Sequence, residues 1–174
     1  TFSDDIGKLK AEESGAYSRI FNATEGQVFP QIEQTVLFMV GQSRNLRNII
    51  NKGLDENGLA PLFKSKGSGR NKTLELTRSL TLEEGEIIKR ALMDAKNAAQ
   101  RKGSNNRARV MGGYENEIKS VLDQISPELR ETRASWAAIE SAVEKFGEGQ
   151  TIFGRDPEEF AVEFDEVSVE RGEH

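Results

Sequence analysis

The chain has no cysteine among its 174 residues, and this one absence removes disulfides, thiolate zinc sites and cysteine nucleophiles together. Histidine is nearly missing too: the only one is His174, the last residue. A lone terminal imidazole has no partners with which to form a triad or a metal cluster. No apolar run reaches the length of a membrane span, and Thr1-Phe2-Ser3-Asp4-Asp5 does not have the pattern of a signal peptide. No cofactor, small-molecule substrate or membrane contact is therefore expected of this segment.

What is present is enough to fold. A hydrophobic share of 36% beside 30% charged residues supplies the Leu, Ile, Val and Phe that a wholly disordered chain would lack. The length suits one domain or two small ones. The net charge of −5 gives no overall attraction to nucleic acid or an anionic membrane. The chain begins without Met and stops at His174, just after a helix-start signature at Ser168-Val169-Glu170-Arg171, so it reads as a piece of something longer.

Apolar periodicity predicts an all-α fold. Ile6, Leu9, Ala16, Tyr17, Ile20 and Phe21 form a loose helical stripe, broken at Asn22–Gly26. Pro30 opens a second helix with Ile32, Val36, Leu37 and Val40 on one face. Gly41 ends it, Ser43 can cap a third helix carrying Leu46, Ile49 and Ile50, and Gly53 ends that one. These helices make up an N-terminal part, 1–53. Residues 54–80 carry Asn57-Gly58, Pro61 and Lys64-Ser65-Lys66-Gly67-Ser68-Gly69-Arg70, the composition of a flexible linker. Leu74-Glu75-Leu76-Thr77 alternates like a strand, but no second strand is apparent.

The remainder, 81–174, is better specified. Thr81-Leu82-Glu83-Glu84 is a capping box, in which the Thr81 hydroxyl and the Glu84 carboxylate each satisfy an orphan backbone N–H. The helix it opens bears Ile88, Ala91, Leu92, Ala95 and Ala99 and ends near Gly103. Met111, Tyr114, Ile118, Val121 and Ile125 form the seam of the next helix. Ser126-Pro127 starts a third, with Leu129, Trp136, Ile139, Val143 and Phe146, until Gly147 and Gly149 stop it. Matching seams and a short joint predict that Met111–Ile125 and Leu129–Phe146 form an antiparallel helical hairpin with Trp136 buried. Asp156-Pro157-Glu158-Glu159 begins a last capped helix bearing Phe160 and Phe164.

Catalytic patterns fail on geometry. Gly67–Thr73 ends in Lys-Thr like a phosphate loop, but Asn71 stands where that loop needs glycine, and Pro61 interrupts the upstream residues. Glu83, Glu84, Glu158 and Glu159 sit in first helical turns, where they stabilise the dipole and the caps. Charge is distributed more tellingly. Lys89, Arg90, Lys96, Arg101, Lys102, Arg107 and Arg109 face only Asp94, whereas Asp156, Glu158, Glu159, Glu163, Asp165, Glu166, Glu170 and Glu173 face only Arg155 and Arg171. These two blocks can attract one another within or between subunits. Alternatively the basic block contacts DNA phosphates, although no base-reading side chains interleave with it.

The C-terminal half also carries a recognisable series. Ile87-Ile88-Lys89-Arg90-Ala91-Leu92-Met93-Asp94 is followed by Asn106-Arg107-Ala108-Arg109. Next come Leu122-Asp123 and Pro127-Glu128-Leu129-Arg130-Glu131-Thr132-Arg133-Ala134-Ser135-Trp136-Ala137. Phe153-Gly154-Arg155-Asp156-Pro157-Glu158-Glu159-Phe160 and Ser168-Val169-Glu170-Arg171 complete it. The series resembles helical modules of large tailed-bacteriophage and prophage virion-associated proteins, of the internal or DNA-ejection kind. Leu129 departs from it, standing where an aromatic is commoner, and the joint at Asn105-Asn106 is short. The resemblance implies a non-catalytic structural or assembly module located in the virion after synthesis in the host cytoplasm. It would touch other virion proteins or copies of itself as a homo-oligomer. A nucleic-acid-binding module acting through the 89–109 stretch, and a non-catalytic part of a phage cell-wall hydrolase, are the alternatives.

Overall fold

Thr81 marks the clearest boundary in the chain, because its side chain and that of Glu84 close a complete capping box. The computed structural model describes residues 1–152, with side chains as far as residue 145. The fold is all-α apart from one small sheet. Its helices, among the described residues, are α1 (Phe2–Ala23), α2 (Pro30–Gln42), α3 (Arg44–Glu56), α4 (Leu82–Arg101), α5 (Asn105–Ile125) and α6 (Pro127–Ile152). Strands β1 (Phe63–Lys66) and β2 (Thr73–Leu76) pair antiparallel between α3 and α4. The chain divides into two compact units, Ala23–Ser126 and residues 1–22 with everything from Pro127 onward.

Helices α4 and α5 form the helical hairpin of the first unit. Gly103 turns the chain at φ 76°, a conformation that costs glycine nothing. The Ser104 N–H donates to the Ala99 carbonyl (2.9 Å) and the Gly103 N–H to the Gln100 carbonyl (3.0 Å), the pair of bonds that closes a Schellman end. The helices then run antiparallel along their length. Lys96 meets Glu115 (2.8 Å), and farther from the turn Gly85 meets Leu122.

Glycine decides how closely the helices approach. A Cβ on Gly85 would lie 2.6 Å from Leu122 Cδ2 and 3.2 Å from Ile32 Cδ1, so α2, α4 and α5 converge on this point. A Cβ on Gly53 would lie 2.7 Å from the Cβ of Ala91. Gly53 therefore sits inside α3 and admits α4; it does not end the helix. Gly147 and Gly149 likewise lie within α6, which continues to Ile152.

Residues 54–80 are a built element, which corrects the linker reading. Leu62 and Leu80, on either side of the strand pair, are fully buried. The Leu62 N–H donates to Asn51 Oδ1 (3.0 Å), the Thr77 hydroxyl to the Pro61 carbonyl (2.8 Å) and Arg78 Nη2 to the Ala60 carbonyl (3.0 Å). The Leu80 N–H donates to Glu33 Oε1 (3.1 Å), while its carbonyl accepts from the Phe29 N–H (3.2 Å). Both ends of the segment are thus fastened to helices. The partner of Leu74–Leu76 is Phe63–Lys66, in the register Phe63↔Leu76 to Lys66↔Thr73.

In the second unit, Ile6 of α1 packs with Ile139 and Val143 of α6, and Phe2 joins them. Two residues of the seam expected to pair α6 with α5, Ile139 and Val143, thus pack with α1, and α5 and α6 fall in different units. Trp136 is half-buried, contrary to expectation. Its Nε1–H donates to Glu140 Oε1 (3.0 Å), and Lys10 Nζ lies 5.6 Å from its ring centroid. The capped helix expected at Asp156 lies outside the described residues.

Gly85→Ala is expected to cost about 1–3 kcal/mol through overpacking, and Leu122→Ala about 2–5 kcal/mol through a cavity. Since the added methyl would occupy space vacated by Leu122, the double variant should be more stable than the sum of the two losses. Additive losses in chemical denaturation would mean that these helices do not meet at Gly85.

Candidate interaction surface

The seven cations of the 89–109 stretch separate into two groups as soon as the helices form. Lys89 is on the buried side of α4, with Nζ 3.3 Å from Glu86 Oε1. Arg90 extends from the surface toward the same carboxylate, its Nε at 3.7 Å. Glu86 is only 1% exposed, and a carboxylate removed from water needs such partners. Lys96 reaches across the hairpin to Glu115 Oε1 at 2.8 Å, with both side chains largely covered. Lys89 and Arg90 thus pair within α4, and Lys96 joins α4 to α5.

Arg101, Lys102, Arg107 and Arg109 differ. They occupy the last turn of α4, the connection, and the first turns of α5, so the Gly103 turn gathers all four at one end of the hairpin. All are exposed. Among the described residues none has a carboxylate within ion-pair distance; Arg109 Nη2 donates to Asn106 Oδ1 (3.0 Å). Arg101 and Lys102 lie at a helix C-terminus, where the dipole favours positive charge. Arg107 and Arg109 stand at a helix start that has no acid in its first turn. The helical dipole does not stabilise them there, so nothing in α5 itself neutralises their charge. The acidic block from Asp156 onward lies outside the described residues.

Apolar side chains continue this surface. Phe38 is 61% exposed on α2 and Val110 40% exposed on α5. Between them the Tyr114 hydroxyl donates to Gln42 Oε1 (3.4 Å), joining α5 to α2. Phe38 lies one turn before Gln42, and Val110 one turn before Tyr114, so the four form one stripe across two helices. Arg107 is three residues before Val110, on the same side of α5. Sequence reasoning missed Phe38, although a signal existed. Val36-Leu37-Phe38-Met39-Val40 is continuously apolar, and a helix with one buried face cannot cover five consecutive side chains.

The residues with catalytic or phosphate-loop patterns have structural positions. Glu84 accepts from the Thr81 N–H (3.4 Å) and is ion-paired with Arg78. Lys72 and Thr73 lead into a strand, where a phosphate loop would lead into a helix. Among the described residues no three His, Asp or Glu side chains come together as a metal site, and no helix is long and apolar enough to cross a membrane. Glu158, Glu159 and His174 lie outside the described residues. Comparison of the chain with models of known families, with characterised proteins and with solved structures finds no match.

Glu86→Ala should cost about 3–5 kcal/mol, because Lys89 is left buried without that carboxylate. Arg101→Ala should stay within about 0.5 kcal/mol of wild type, as an exposed side chain with no ion-pair partner among the described residues. Equal effects on the thermal midpoint would contradict the division into structural and surface cations.

Proposed function

We propose that this chain is a structural module of a bacteriophage or prophage virion protein, acting through helix-borne contacts with neighbouring virion proteins or further copies of itself. The virion setting rests on the residue series from Ile87 to Arg171. The contact reading is carried by one observation: exposed Phe38 and Val110 flank the Tyr114–Gln42 bridge, with Arg107 one turn from Val110 on the same side of α5. Aromatic and arginine side chains around a small apolar centre are what protein interfaces are enriched in. Cations without an acidic partner among the described residues suit an acidic partner, such as the 156–173 block of another copy. We read the module as non-catalytic, because Glu84 closes a helix cap and pairs with Arg78, Glu86 pairs within α4, and Glu115 joins α5 to α4.

A DNA-binding reading of the same end of the hairpin draws on Arg101, Lys102, Arg107 and Arg109, whose charge is available to phosphates. The neighbouring apolar side chains favour protein, since phosphate contacts do not require them.

Charge reversal at Arg101, Lys102, Arg107 and Arg109, and separately Phe38→Ser with Val110→Ser, should both shift sedimentation toward smaller species. Each exposed pair contributes about 0–1 kcal/mol, so raising salt should reproduce the first effect and not the second. Should the reversals leave self-association intact and abolish binding to a random duplex, the DNA reading replaces this one.

A further inference from the structure

We propose that the β1–β2 hairpin is an arm that grips the phosphate backbone of nucleic acid without reading its sequence. Lys64, Lys66, Arg70 and Lys72 lie close together in the chain and all four are exposed. Glu75 lies 3.4 Å from Lys66 Nζ. The strand register puts Lys64 and Lys66 on one face of the pair, with Glu75 and Thr73 opposite them. Phe63, Leu74 and Leu76 are half-buried. Phe63 and Leu76 pair on the other face, as do Ser65 and Leu74. The strand pair therefore has an apolar face and a face that bears Lys64 and Lys66, while Arg70 and Lys72 lie in the turn that joins the strands.

Its tip has a defined shape. Gly67 has φ 86°, and a Cβ there would lie 2.7 Å from the Asn71 carbonyl oxygen. The Asn71 N–H donates to the Ser68 carbonyl (3.2 Å), and the Thr73 hydroxyl to the Lys66 carbonyl (3.4 Å). Cations presented from an ordered turn lose less conformational freedom on binding than those of a loose loop.

Composition distinguishes the partner. Between the cations the tip offers Gly67, Ser68, Gly69 and Asn71, with no aromatic or aliphatic anchor. A protein interface draws its affinity from such anchors, and a membrane surface from apolar insertion besides charge. A phosphate backbone asks only for positive charge and hydrogen-bond donors. The Ala23–Ser126 unit has 16 Lys and Arg against 12 Asp and Glu, a net +4, whereas the rest of the chain has 8 against 17, a net −9. Screening over about 8–10 Å makes the nearby charge decisive, so the −5 of the whole chain does not forbid the contact. The arm is also distinct from the assembly surface. It leads into the N-terminus of α4, while Arg101 and Lys102 stand at the other end of that helix, about 30 Å away.

The test uses the full chain with Lys64, Lys66, Arg70 and Lys72 all changed to Gln, alongside Lys64→Arg/Lys66→Arg/Lys72→Arg, which keeps every charge. Fluorescence anisotropy on short duplexes of two unrelated sequences is followed against salt, with self-association measured in parallel. Wild type and the arginine variant should bind both duplexes equally. The glutamine variant should bind both more weakly, with a log–log salt slope shallower by about 3–4, near one per cation lost. Its self-association should be unchanged, as should its thermal midpoint. A wild-type slope in the glutamine variant overturns the proposal. So does a wild-type chain that binds neither duplex at about 50 mM salt, or a glutamine variant that loses only binding to anionic vesicles.

Discussion

At Gly85 three helices come so close that a single methyl group has no room, and the geometry of the Ala23–Ser126 unit follows from this contact. A glycine inside a helix costs roughly 0.5–1 kcal/mol relative to alanine. The close approach offsets that cost, because dispersion contacts weaken quickly with distance and interiors tolerate few gaps. With Ile32 and Leu122 both seated against Gly85, the start of α2 is held beside the start of α4. There Glu33 can accept from the Leu80 N–H and Phe29 can donate to the Leu80 carbonyl. Gly53 against Ala91 repeats the device between α3 and α4. Helix α4 is thus the common partner, and its two glycine-mediated contacts position both N-terminal helices of the unit.

The same centrality explains the charge on α4. A helix surrounded by neighbours has little surface to spare, so Glu84, Glu86 and Lys89 are buried along with its apolar residues. Buried charges are tolerable only when paired, and here the partners come from the capping box, from Arg78 and from within the helix. The basic character of the 89–109 stretch is consequently divided by depth. Its first half is consumed by pairing, and only the part around Gly103 keeps its charge exposed.

How much of this was legible depends on the range of the interactions concerned. The Thr81–Glu84 box and the Pro30 and Pro127 helix starts are encoded within four residues, and they appear where the pattern places them. The Met111–Ile118 seam of α5 identifies a buried face, but a face does not name its partner: short joints favoured α6, whereas the glycine contacts select α4 and α2. Gly53 was misread because a helix-ending glycine and a close-packing glycine look alike without the neighbouring helix. Phe63–Lys66 escaped notice because Lys64-Ser65-Lys66 carries no apolar alternation; its pairing depends on a turn at Gly67 and on anchors at Leu62 and Leu80. For the surface, the cations were legible as a run of charge, but not which of them Glu86 and Glu115 would remove.

Opposite charges on the two parts of the chain bear on how the proposed contacts with protein and with nucleic acid would coexist. The Ala23–Ser126 unit is positive and the remainder strongly negative, with eight of its acids between Asp156 and Glu173. Carboxylates and phosphates compete for the same kind of site, but phosphates on a duplex carry condensed counterions whose release adds a salt-dependent gain. Dispersed carboxylates carry no comparable atmosphere, so protein-borne acids lose to nucleic acid at low salt unless apolar contacts support them. Exposed Phe38 and Val110 would supply that support at the α2–α5 surface, and the β1–β2 tip has no equivalent. A surface that combines cations with apolar side chains retains a protein partner in the presence of DNA, while one that has cations alone yields to the denser polyanion. On this physical ground the β1–β2 tip and the Gly103 end of the helical hairpin are suited to different partners, although both are cationic.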